Sequence, residues 1–131
     1  MITEDYVSFE TAKLLKEKGF DERVKSYYTE SGLEGYMLAL KATKNTELGN
    51  EFISRPTLQM TMKWLRENFN MNPVPYALSI GWAFDVFDLS DRDITGCKKL
   101  YSMDFPTKNA CYETYEEAAE AAIKYCLENL I

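Results

Sequence analysis

The sequence predicts an α+β protein in which three amphipathic helices pack on an antiparallel sheet of about four strands. Hydrophobic residues recur at helical spacing in three separate segments, and between those segments the apolar period changes to two. A chain of 131 residues with 46% hydrophobic content can form one core and is short for two ordinary domains. We therefore expect a single domain over residues 1–131, with the order helix, hairpin, helix, hairpin, helix.

The first helix is predicted to begin after Ser8, whose hydroxyl is a good N-cap, and to end at Gly19. With Gly19 in the left-handed conformation, Phe20 would fold back on Leu15, which is the apolar contact of a Schellman motif.

The second helix is predicted to run from about Thr57 to Asn68, with apolar residues on one stripe. The third begins at the capping box of residues 114–117 and keeps one apolar face as far as Leu130.

Two hairpins are predicted between the helices. Residues 36–42 alternate in polarity and are predicted to pair with residues 26–30 across a turn at Ser31 and Gly32. Residues 76–86 are predicted to pair with residues 97–105. Whether Gly81 and Trp82 divide the strand of residues 76–86 stays open.

Residues 41–55 are predicted to form a loop or one further short strand. The hairpin-helix order occurs twice, which fits a duplicated unit and fits equally the independent use of good helix caps.

Histidine is absent, so the side chain that most often transfers protons or binds metals near neutral pH is missing. The cysteines Cys97, Cys111 and Cys126 are widely spaced and are expected to be free thiols in a reducing cytosol. No glycine-rich phosphate loop occurs. We therefore predict no catalytic residue, no cofactor and no metal, and a protein that is not an enzyme.

The net charge is −6 and acidic residues are interleaved with basic ones, so a direct nucleic-acid partner is not expected. Residues 1–5 lack the basic-then-apolar order of a secretory signal, and the apolar stretch of residues 74–84 is far shorter than the ~20 residues that cross a bilayer. We expect a soluble, cytoplasmic protein without a membrane partner.

The string of residues 91–96 resembles a phosphatase nucleophile loop and the opening of an EF-hand. The EF-hand pattern then fails at Lys98 and Ser102, and a polar hairpin turn explains the same residues. Four carboxylates lie close together in this part of the sequence, although strand alternation sends the first two to opposite faces: Asp85, Asp88, Asp91 and Asp93.

One candidate interaction surface follows from the alternation in residues 76–86. The apolar, even-numbered residues of this stretch are expected to face the helices. The small, odd-numbered residues are expected to face outward, where a second sheet or a partner could approach closely. This predicted surface, with an apolar anchor at its rim, consists of Ala77, Ser79, Gly81, Ala83 and Phe87.

Residues 8–20, residues 56–60 with 63–66, and residues 114–118 with 124–131 resemble a family of small proteins of gut commensal bacteria, often in prophage or mobile-element regions. The resemblance implies a bacterial cytoplasmic setting and a phage-related accessory role. It implies no catalytic residue, ligand or partner.

The function predicted on these grounds is that of a non-enzymatic cytoplasmic protein acting through protein contacts, as a homodimer or with another protein. One alternative is an acidic DNA mimic that inhibits a host nucleic-acid-binding protein. The other is a cation-dependent enzyme that uses the carboxylates between Asp85 and Asp93.

Overall fold

The computed structural model describes residues 2–36, 42–103, 106–108 and 110–131. The elements follow in the order α1 (Phe9–Glu17), β1 (Ser26–Thr29), β2 (Glu34–Tyr36), β3 (Phe52–Ser54), α2 (Leu58–Phe69), β4 (Met71–Leu78), β5 (Gly81–Asp93), β6 (Gly96–Ser102) and α3 (Tyr115–Tyr125), and a short π-helix (Cys126–Leu130) follows α3.

The α+β class predicted from the sequence is confirmed, but the predicted number of strands is wrong. Within the described residues, six strands form two antiparallel sheets of three strands each, instead of one sheet of about four. The chain divides into two compact units, Met1–Thr57 and Leu58–Ile131. The single domain over residues 1–131 stays a prediction.

Helix α1 of the first unit begins and ends as the sequence predicts. The Ser8 hydroxyl accepts a hydrogen bond from the Thr11 N–H at 3.2 Å. At the other end Gly19 has φ +91°, and the Phe20 N–H donates to the Leu15 carbonyl at 2.9 Å, which is the Schellman pattern.

The sheet of the first unit has the order β2-β1-β3. Tyr27 of β1 pairs with Gly35 on one side and with Ser54 on the other. The first predicted hairpin is therefore confirmed for β1 and β2, while its residues 37–41 lie outside the described residues. Strand β3 is the further short strand given as one alternative for residues 41–55.

A buried arginine ties the first unit together. The Arg55 guanidinium lies 4.0 Å from the ring centroid of Tyr6 and 5.3 Å from that of Tyr28. It donates to the Ser26 hydroxyl at 3.1 Å and lies 3.3 Å from a Glu34 carboxylate oxygen. These contacts join the N-terminal segment, β1 and β2 to the end of β3.

Helix α2 opens the second unit, within one residue of its predicted bounds. Asn70 follows it with φ +55°, a left-handed conformation that asparagine tolerates better than most residues. This residue ends the helix and turns the chain directly into β4.

Helix α3 is capped at Thr114, whose hydroxyl accepts from the Glu117 N–H at 3.1 Å. The Glu117 carboxylate in turn accepts from the Glu113 N–H at 3.0 Å, one residue before the position usual in a capping box. The helix packs on the sheet through buried small residues and through Tyr125, whose ring stacks on that of Tyr101 at 4.0 Å.

The sheet of the second unit has the order β4-β5-β6. The sequence leaves open whether Gly81 and Trp82 divide the strand of residues 76–86, and the structure answers the question: the chain reverses between Leu78 and Gly81 and makes two strands there. The returning strand is confirmed as β6, although Asp104 and Phe105 of its predicted end lie outside the described residues.

Strands β3 and β4 therefore account for the two strands that the sequence-based count lacked. Each sheet contains three strands instead of a hairpin, and the two strand orders differ, so the duplicated hairpin-helix unit has no support from topology. Among the described residues, no helix has the length and apolar character needed to cross a membrane.

Candidate interaction site

An exposed apolar turn joins β4 to β5. Leu78 pairs with Gly81, so Ser79 and Ile80 form a two-residue connection. Leu78 is 37% exposed and Ile80 43% exposed, and Ala77 and Ser79 are also exposed. We call residues 77–80 the hairpin tip.

The backbone at Gly81 explains why the turn falls at this place. Gly81 has φ +148°, where a side chain would be strained, and a Cβ there would lie 2.8 Å from the Tyr112 carbonyl oxygen. Trp82 and Tyr112 exchange two backbone hydrogen bonds of 2.8 Å. The small size of Gly81 is thus used by the chain's own backbone, and the predicted approach of a partner at this residue stays a prediction.

The five predicted interaction residues do not form one surface. Ala77 and Ser79 are exposed in the hairpin tip, but Ala83 has no exposed area and Phe87 is half-buried. The expected outward position is therefore wrong for Ala83, and the predicted role of these residues in self-association stays a prediction.

The reversal at the hairpin tip explains why Ala83 is buried although an outward position was expected. Tyr76 pairs with Ala83 across the turn, so an even-numbered residue of β4 shares a face with an odd-numbered residue of β5. Leu78 and Ile80, predicted to face the helices, instead reach the exposed tip. The only sequence signal for this arrangement was Gly81 in the middle of an otherwise continuous alternation.

The outer edge of β4 is poorly suited to strand pairing. The Leu89 N–H donates to the Asn70 carbonyl at 2.7 Å, so odd-numbered residues of β5 direct their peptide groups toward β4. Pro73 and Pro75 pair with even-numbered residues of β5, and their nitrogens lie on the outer edge, where they cannot donate. Proline in this position is typical of an edge strand.

A polar cluster that the sequence did not predict lies on one face of this sheet. The Asp85 side chain, 13% exposed, has its carboxylate 3.5 Å from the Lys99 ammonium and 3.5 Å from the Tyr76 hydroxyl. Lys99 also lies 5.7 Å from the ring centroid of Phe87. A β-bulge between Val86 and Phe87 sets this register, and sequence alternation gives no sign of it.

The other aspartates are used in local turns. Asp88 accepts from the Ser90 N–H at 2.9 Å and from its hydroxyl, and Asp93 accepts from the Thr95 N–H at 2.8 Å and from its hydroxyl. These hydrogen bonds hold the pKa of each carboxyl below its usual value. The turn interpretation of residues 91–96 is confirmed.

The four carboxylates of this segment are spread over the strand and its turn, with Asp85 and Asp88 on opposite faces, as the alternation predicts. Across residues 2–36, 42–103, 106–108 and 110–131, no group of three or more acidic or thiol side chains is arranged as a metal site.

The three cysteines differ in environment. Cys126 is buried, and burial raises the pKa of its thiol to about 12, so it is protonated near neutral pH. Cys97 and Cys111 are half-buried free thiols.

No match is found when the chain is compared with known protein families, with curated proteins or with solved structures. The family resemblance of the three helical segments stays a prediction.

Proposed function

We propose that this protein acts without catalysis, by binding another protein through the hairpin tip. The supporting observation is the exposure of Leu78 and Ile80 at a two-residue turn. Such turns usually carry Gly, Asn, Asp or Ser, and two exposed aliphatic side chains there have no use in the turn itself.

The tip can anchor a contact. Complete burial of a leucine or isoleucine side chain contributes about 1.5–3 kcal/mol, so covering the exposed 37% of Leu78 and 43% of Ile80 yields about 1 kcal/mol for each residue. A stable complex therefore requires further contacts beside the tip, and neighbouring residues of β4 are the nearest source.

The contact proposed here is made by side chains. The prolines of β4 remove two N–H donors from its outer edge, so a partner gains little by adding a strand there. Aliphatic side chains at the tip instead favour a partner with an apolar, uncharged surface.

A pull-down with matched variants tests this proposal. Tagged wild type, the double variant Leu78→Lys with Ile80→Lys, and Ile94→Lys are exposed to the same bacterial lysate, and bound proteins are quantified by mass spectrometry. Ile94 is fully exposed in the β5–β6 turn, so its variant replaces an exposed aliphatic residue by lysine away from the tip, with one added charge where the double variant adds two. We expect partners held by wild type and Ile94→Lys that the double variant loses.

The same set of proteins on all three baits would contradict a contact through the tip. A DNA-binding protein held equally by all three baits at low salt, and released at high salt, would favour the DNA-mimic alternative, because exposed charge contacts are screened.

The bacterial cytoplasm and a phage or mobile-element accessory role belong to the same proposal, as the family resemblance implies. Genes for replication, packaging or defence beside the gene for this protein would support that role, and a conserved metabolic operon around it would count against it.

A further inference from the structure

One stretch of the chain contains no charged side chain. Residues 68–84, seventeen in a row, lack Asp, Glu, Lys and Arg, whereas 27% of all residues are charged and no other uncharged run exceeds seven residues. Charge is thus excluded from this stretch far more strictly than from the rest of the chain.

The structure shows where this stretch lies. It covers the end of α2, all of the edge strand β4, the hairpin tip and the first residues of β5. Residues 71–80, which we call the neutral strip, comprise β4 and the turn after it. Its last four residues are exposed, and the rest are half-buried except for the buried Pro73.

Edge strands usually carry charged side chains that prevent association, because an uncharged edge can pair with another molecule. The neutral strip has the prolines but not the charges. The prolines disfavour strand addition and leave packing of side chains possible.

We infer that a second copy of this chain docks on the neutral strip and forms a symmetric dimer. This inference depends on the proposed function, since it names the partner of the same surface. Two copies of net charge −6 repel each other, and the neutral strip is where they can approach without placing like charges together. Two neutral strips related by a two-fold axis can also pack on each other, because this contact buries no unpaired ion.

The dimer is expected to be weak. A stable interface uses about 20–30 residues on each side, and the neutral strip has ten, at most half that number. Screening the repulsion between two acidic copies should strengthen it, which is the opposite of the salt response of a charge-driven complex.

Sedimentation equilibrium of the full chain, from about 5 to about 500 µM, measures this association. We expect a monomer-dimer equilibrium whose dissociation constant falls when salt is raised from about 50 to about 500 mM. Ile80→Lys should raise the dissociation constant about tenfold or more, since it places a charge in an apolar contact. Ile94→Lys should leave it unchanged.

Circular dichroism checks that each variant is folded, and Ser79→Lys replaces Ile80→Lys if the latter is not. A monomer at every concentration overturns the inference. So does a dimer whose dissociation constant is unchanged in the folded tip variant or rises with salt. A monomer does not decide the proposed function, because the pull-down detects a different protein partner independently.

Discussion

Arg55 is the side chain with the most varied contacts in the first unit. It is 8% exposed, and it combines stacking on Tyr6 with a hydrogen bond to Ser26 and an ion pair to Glu34. A planar, always charged guanidinium can make all of these contacts together, whereas an ammonium cannot. No sequence pattern singles out this residue, because its partners come from three separate segments.

Replacing Arg55 should destabilise the protein far more than replacing an exposed arginine. We expect Arg55→Leu to lower the free energy of unfolding by about 2 kcal/mol, with the partly exposed Glu34 limiting the loss. Arg23 forms an ion pair with Glu47 at 2.7 Å, but both side chains are substantially exposed. Arg23→Leu should therefore cost less than about 1 kcal/mol.

Urea unfolding followed by circular dichroism measures both arginine variants. Equal losses for Arg55→Leu and Arg23→Leu would show that the buried contacts contribute no more than a surface ion pair.

Gly81 is required by the fold for two separate reasons, its positive φ and its closeness to Tyr112. Gly96 has φ +130° but no atom within 4 Å of an added Cβ. Gly96→Ala therefore measures the backbone strain alone, of about 1 kcal/mol. Gly81→Ala should cost about 2 kcal/mol or more, since it adds a steric clash with backbone.

Tryptophan fluorescence during urea unfolding suits this comparison, since Trp64 and Trp82 both belong to the second unit. A Gly81→Ala variant no less stable than Gly96→Ala would mean that the Cys111–Tyr112 segment does not restrict the turn.

Among the elements, the three helices were predictable from sequence, because caps and apolar periodicity are local properties. Ser8 and Thr114 act as caps as predicted, and α2 starts one residue after Thr57. The strands were less predictable, because a two-residue turn leaves the alternation of apolar residues uninterrupted. The sequence therefore leaves open whether residues 76–86 form one strand or two, and the structure shows that the chain reverses there.

Strand β4 was missed for a second reason. Its two prolines argue against a strand unless the strand lies at a sheet edge with the proline nitrogens outward, and sequence does not show which strand is at the edge. The hairpin tip is only partly predictable for the same reason: Ala77 and Ser79 are expected to face outward and are exposed, whereas Leu78 and Ile80 are expected to face the helices and are exposed instead.

Three aspartates that accept hydrogen bonds from serine or threonine should contribute to acid sensitivity. Asp21 accepts from the N–H and the hydroxyl of Thr46, and like Asp88 and Asp93 its pKa is lowered, chiefly by these hydrogen bonds. Their folded pKa values lie below the unfolded value of 3.8. Their stabilisation is therefore present above the unfolded pKa and is lost as pH falls through the folded pKa.

Replacing all three aspartates by asparagine should make stability less dependent on pH below about 4. Near neutral pH the amide oxygens of the asparagines can still accept the same hydrogen bonds. Thermal unfolding between about pH 2 and pH 7 measures this. If the melting temperature of the triple variant falls as steeply at acid pH as that of wild type, other carboxylates cause the acid sensitivity.

For the whole chain, the uneven distribution of charge links the fold to the proposed function. Acidic and basic residues alternate over most of the sequence, and several form ion pairs, such as Lys99 with Asp85 and Arg23 with Glu47. The neutral strip is the exception. The lack of histidine and of a phosphate-binding loop leads to the prediction of a protein that acts through contacts, and the proposal that the hairpin tip makes the contact depends on the register of β4 and β5.

The central claim is that the hairpin tip makes the contact, and backbone amide chemical shifts test it residue by residue. Nitrogen-15 spectra are recorded while the protein is diluted from about 500 to about 10 µM and while any protein captured in the pull-down is added. We expect the amide chemical shifts of residues 77–80 and of neighbouring β4 residues to change, and that of Ile94 to stay the same. Tip amides that stay unchanged in both experiments, or shifts centred on another surface, would contradict it.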